Sequence, residues 1–132
     1  MDMNNLSLED IKTIMIEFKN NDTLFPKPRS PKLMEIKKFR DITICKKKHE
    51  GLTYYLDSET KKYCKNLSFE SLYGSYEHLK KEGSFKRAWY SKEENYETEY
   101  NSNPCNVSFI GSIFILLGIA YYDRGTGTYY LK

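Results

Sequence analysis

The longest apolar run of the sequence, from Val107 to Tyr122, constrains the fold more than any other feature. Ser108, Gly111, Ser112 and Gly118 interrupt it, and it is shorter than the roughly 20 apolar residues a bilayer crossing requires. It therefore reads as a core segment that the rest of the chain must cover. The spacing predicts a helix over about 107–117, with Val107, Ile110, Ile113, Phe114 and Leu117 on its main face. Gly118 ends it. Ile119 to Asp123 and Thr128 to Leu131 then read as tyrosine-rich strands, closed into a hairpin by Arg124-Gly125-Thr126-Gly127.

A length of 132 residues fits one domain and leaves little room for a second core, because small chains bury a lower fraction of their surface. Ser7 and Asp10 stand at capping-box spacing, followed by Ile11, Ile14, Met15 and Phe18, so a first helix is expected over about residues 8–19. Prolines at 26, 28 and 31 then predict an extended arm. Leu33 to Cys45 alternates as one or two strands, and Leu52–Asp57 with Lys61–Lys65 reads as a hairpin. Ser68 can cap a second helix carrying Phe69, Leu72, Tyr73, Tyr76 and Leu79, with Gly83 as its left-handed stop. Phe85, Ala88 and Trp89 suggest a short third helix, and Glu93 to Asn103 reads as an acidic loop. The expected fold is α+β: a single domain with a small antiparallel sheet and helices. Its parts are an N-terminal helix and arm (1–26), a basic strand region (27–67) and a C-terminal part (68–132).

Charge is unevenly spread. Residues 27–65 hold 12 positive and 5 negative side chains, whereas the flanking stretches are both net negative. Lys37, Lys38, Arg40, Lys46, Lys47, Lys48, Lys61 and Lys62 alternate there with Tyr54 and Tyr55, as a polyanion-binding face requires. Lys-rich strand edges also arise as protection against aggregation. The 12 tyrosines suit half-exposed sheet faces and contact surfaces, because each hydroxyl needs a partner when buried. Cys45, Cys64 and Cys105 form no Cys-x-x-Cys pair, and the first residues lack a secretion-signal pattern. The expectation is a reducing, cytoplasmic compartment and no membrane segment.

From Phe69 onward, the order helix, short helix, loop, helix, glycine, hairpin resembles the winged helix-turn-helix arrangement, with Ala120 to Leu131 as the wing. In that family the third helix usually enters the major groove and the wing touches the backbone, so the resemblance implies DNA binding. Read residue by residue, 106–117 carries no Arg, Lys or Gln for paired base contacts. The expected donors in this half are therefore Lys86, Arg87, Lys92 and Arg124.

Three further chemistries have candidate residues in the chain. Glu35-Ile36-Lys37 with Asp22 upstream resembles the core of the PD-(D/E)xK nucleases, which implies Mg²⁺ held by carboxylates. Glu59-Thr60-Lys61 with Asp41 repeats the pattern in a predicted turn. Cys45, His49, Cys64 and Cys105 lack zinc-knuckle spacing. Neither His49 nor His78 neighbours a recognisable nucleophile motif. The reading is thus a non-enzymatic DNA-associated protein with no cofactor or metal. The alternative is a protein-interaction module using the Tyr-rich wing and acidic loop, and the third is the nuclease.

Overall fold

Ser7 begins the first helix as expected: its hydroxyl accepts from the Asp10 amide and the Asp10 carboxylate accepts from the Ser7 amide. Two otherwise unpaired donors are met in this way, an arrangement worth about 1 kcal/mol. The helix, α1, spans Leu8–Asn20 and buries Ile11, Ile14 and Met15. The computed structural model describes residues 2–132.

The expected arm after α1 is instead a strand, β1 (Leu24–Lys27), paired antiparallel with β2 (Ser30–Ile44) through Leu24–Glu35, Phe25–Met34 and Pro26–Leu33. Pro26 is tolerated because β1 is the outer strand of its sheet, where a missing amide donor goes unneeded. β2 is one continuous strand with a bulge at Lys37. The extra residue keeps both Lys37 and Lys38 exposed while Ile36 stays buried.

A second hairpin follows, beyond the strands the alternation predicts. β3 begins at Lys47, five residues before the expected Leu52, and pairs back onto β2 through Ile44–Lys47. Cys45 and Lys46 turn the chain with φ of 51° and 66°, the left-handed pair that a two-residue turn demands. β3 ends at Tyr55, and β4 (Cys64–Ser68) completes the sheet in the order β1-β2-β3-β4. Lys61 and Lys62, expected in that last strand, lie in the connection before it.

Ser68 caps α2 (Phe69–Glu82), and Gly83 at φ 80° closes it, both as predicted. Phe85 does not belong to the third helix; with Ser84 it forms β5, which pairs with β7. α3 is confined to Arg87–Tyr90. The expected acidic loop contains α4 (Glu97–Ser102), then come α5 (Asn106–Leu116), β6 (Ala120–Asp123) and β7 (Thr128–Leu131). The second sheet has the order β5-β7-β6. The architecture is α+β, and one apolar cluster runs from Leu6 to Tyr129. α5 lies inside it: Phe109 stacks on Tyr54 at 4.0 Å and tilts against Phe25 at 4.8 Å. Among the described residues no helix is long and apolar enough to cross a membrane.

Candidate nucleic-acid interface

The cationic residues singled out in the sequence separate into three places. At the first, Lys37 and Lys61 both bring their ammonium groups near the Tyr55 ring, 5.7 and 5.5 Å from its centre. Lys61 also pairs with Glu35 at 3.3 Å. Glu35 sits directly across the ladder from Tyr55, so one carboxylate partly offsets two cations. Lys38 and Arg40 continue along exposed β2, and Lys62 lies over Tyr63.

The second place is the β2–β3 turn with Lys46, Lys47 and Lys48. It stands against acid: Lys47 and His49 share a cleft with Glu70, Glu93 and Glu97, and His49 meets the Glu70 carboxylate at 3.0 Å. Phosphate is opposed here by neighbouring negative charge.

At the third place, residues distant in sequence converge. The Lys27–Ser30 turn, Arg87, the first turn of α5 and the terminal hairpin line a cleft of about 320 Å³. Its wall contains Lys27, Arg29, Arg87, Ser108, Tyr122 and Tyr129, and among the described residues the lining includes no carboxylate. Arg29 donates to the Arg124 carbonyl at 2.7 Å, and its guanidinium lies over Tyr122. Arg87 donates to the Tyr100 hydroxyl (2.9 Å) and the Pro104 carbonyl (3.1 Å) while lying over the Tyr100 ring. Each guanidinium is held by one nitrogen and keeps further N–H groups. Lys86 and Arg124 are exposed nearby in sequence to Arg87 and the hairpin turn. Lys27 and Arg29 belong to the basic segment, set among Pro26, Pro28 and Pro31, and are not among the donors expected from the sequence.

Tyr54 must be removed from the interface. It is fully buried, stacked on Phe109, and its hydroxyl donates to Asn106 Oδ1 at 2.6 Å; no base can reach it. Burial holds its hydroxyl well above the usual tyrosine range. Trp89 is no free stacking platform either, since its ring already has a partner in His78, 3.9 Å away and nearly parallel. α5 buries Phe109 to Phe114 in succession, leaving no face on which bases could be read.

The acidic stretch holds the other unforeseen feature. Glu99 is buried on α4 and accepts from the Ser68 amide (2.8 Å), the Ser68 hydroxyl (2.6 Å) and the Ser71 hydroxyl (3.0 Å). Asn106 Nδ2 donates to the Asn66 carbonyl at 3.0 Å and approaches Glu99 at 3.3 Å. Burial raises the Glu99 carboxyl above its ordinary value, and the Ser68 and Ser71 donors pull it part of the way back. Tyr90 joins through Ser71, its hydroxyl pushed up by the same burial. The network joins α2, α3, α4 and α5; buried and fully paired, it has the character of a structural knot.

Asp22 lies in the turn after α1, at φ 51°, and Glu35 faces Lys61. Among the described residues no group of three or more His, Cys, Asp or Glu side chains is placed to hold a metal ion. Comparison with family models, curated proteins and solved structures finds no match to this chain.

Proposed function

We propose that this protein associates with DNA without acting on it chemically, through phosphate contacts made by the cleft beside the terminal hairpin and by the Lys37–Lys61 platform. The observation that carries the reading is the cleft, where Lys27 and Arg29 of the basic segment meet Arg87 and the hairpin with no carboxylate in the lining. Cations that converge without neutralising partners are what a polyanion requires. The reading keeps the winged-helix resemblance for the order α2-β5-α3-α4-α5-β6-β7 with the sheet order β5-β7-β6, in which α4 is an added helix before α5. The buried α5 moves the contact from that helix to the wing and the cleft. Fluorescence anisotropy of a labelled duplex at two salt concentrations tests the reading. Binding that weakens steeply with salt supports it, and no binding at low salt discards it.

A second reading rests on the outer side of the hairpin, where Tyr121 is 50% exposed and packs beside Tyr130, with Leu116 also exposed. Tyrosines anchor protein partners well because they bury area with little loss of rotamer freedom. A stoichiometric protein complex that survives high salt and is lost in Tyr121→Ser favours this reading over DNA.

A further inference from the structure

The floor of the basic cleft contains a polar group without a partner. Tyr129 is 1% exposed, and its hydroxyl, with the Ser108 side chain nearby, completes no well-formed hydrogen bond. Its ring lies across Gly111, so closely that a methyl group there would overlap the ring carbons next to the hydroxyl. Ser108 stands one turn nearer the start of α5, and Tyr122 packs against Tyr129 with ring centres 4.9 Å apart. Leaving a buried hydroxyl unpaired costs about 1–3 kcal/mol, so a donor kept in this state beside three cations asks for an acceptor. Burial keeps the hydroxyl protonated, and so a donor, at any physiological pH.

The start of α5 adds to this. No side chain caps the helix, and Val107 and Ser108 of its first turn both line the cleft. A helix of this length presents partial positive charge and amide donors at that end. Lys27, Arg29 and Arg87 supply three formal charges, more than a singly charged phosphodiester calls for.

We propose that this cleft is a seat for one phosphomonoester dianion, held by Arg29, Arg87 and Lys27 from the sides, by the first turn of α5, and by the Ser108, Tyr122 and Tyr129 hydroxyls from the floor. The inference rests on the reading of the cleft as an anion site, and it holds whether the phosphate ends a nucleic acid strand or belongs to a small molecule.

The test is a titration of the full-length protein with inorganic phosphate at constant ionic strength, followed by amide NMR shifts. Saturable shifts centred on Val107, Ser108, Gly127 and Tyr129 are expected. Arg29→Gln should weaken binding about tenfold, as expected for a lost hydrogen bond to a charged group. Ser108→Asp should abolish it while favouring the helix, because a carboxylate in the first turn suits the dipole and repels the ligand. Shifts that never saturate, that spread equally to Lys37, Lys61 and the Lys46–Lys48 turn, or that persist in Ser108→Asp overturn the proposal. A second arm compares oligonucleotides carrying a 5′-phosphate or a 5′-hydroxyl. Preference for the phosphorylated end, erased by free phosphate, identifies a strand terminus as the source; saturable phosphate binding without that preference identifies a small phosphorylated molecule. If the 5′-hydroxyl duplex fails to bind at low salt while phosphate still saturates the cleft, the DNA reading falls and the seat stands.

Discussion

Arg29 donates to the carbonyl oxygen of Arg124 across 2.7 Å, tying the turn between β1 and β2 to the tip of the terminal hairpin. Its guanidinium also approaches Gly127, where an added Cβ would lie 3.9 Å from it. The hairpin is thus pinned at its far end by the first sheet. Arg29→Ala should lower the urea midpoint by less than about 1 M, a loss of about 1 kcal/mol or less for one exposed hydrogen bond. The Gly125–Thr128 amides should exchange faster with deuterium, which mass spectrometry or NMR would detect.

Asn106 stands at a junction: Tyr54 donates to its side-chain oxygen, and its nitrogen donates to the Asn66 carbonyl. Asn106→Leu removes both partners at once, in a fully buried position. A destabilisation of about 2–4 kcal/mol is expected, because two buried polar groups lose their mates. Urea denaturation with an unchanged slope would show that the loss belongs to the native state.

The Glu99 carboxyl is raised above its ordinary value of 4.5 by burial. Below 4.5 it is protonated in both folded and unfolded chains, so no penalty arises. As pH climbs from there to the raised value, the unfolded chain gives up the proton first, and stability falls across that window. Melting curves of the wild type and Glu99→Gln across the mildly acidic range isolate this contribution as their difference. The variant should gain on the wild type as pH rises and run parallel to it beyond the window.

Gly111 has no room for a side chain, since an added Cβ would lie 2.0 Å from the Tyr129 ring. Helix propensity alone would make Gly111→Ala stabilising by about 1 kcal/mol. The overlap reverses the sign, and a net loss of about 1–3 kcal/mol is expected from forced displacement of a fully buried ring. Thermal unfolding measures it, and near-ultraviolet circular dichroism should register the moved tyrosine.

If DNA is bound through the Tyr55 platform, Lys37→Ala and Lys61→Ala should each lower the slope of log affinity against log salt by about one, regardless of sequence. Tyr54→Phe should leave that slope and the affinity unchanged, because the hydroxyl it loses is turned inward to Asn106. Anisotropy titrations on a common duplex compare all three.

The features legible in the sequence are those decided within a few residues. Ser7 with Asp10, the Ser68 cap, and the stop at Gly83 depend on capping geometry contained in one turn, and all three stand where the pattern put them. The terminal hairpin was equally local. Tyr54 was misread because a tyrosine in a Lys-rich strand looks exposed until its neighbour across the core, Phe109, is known. β1 was hidden by Pro26, which propensity excludes from a strand but an outermost position allows. The Cys45–Lys46 turn lacks the glycine or asparagine that advertises left-handed backbone. Glu99 looked like part of a repelling acidic loop, and only the serines at the start of α2, far back in the chain, give it another role. The cleft assembles side chains from residues 27 to 129, so no window of sequence contains it.

The packing of Phe109, stacked on Tyr54 and tilted against Phe25, bears on how this protein can be dissected. A fragment starting near Ser68 would keep the helices and hairpin but strip an aromatic flank bare to water, and it would also lose the strand that answers Asn106. Such an excised piece should aggregate or stay molten rather than operate as a portable module, so any transplant of the hairpin's binding properties has to carry the first sheet along with it.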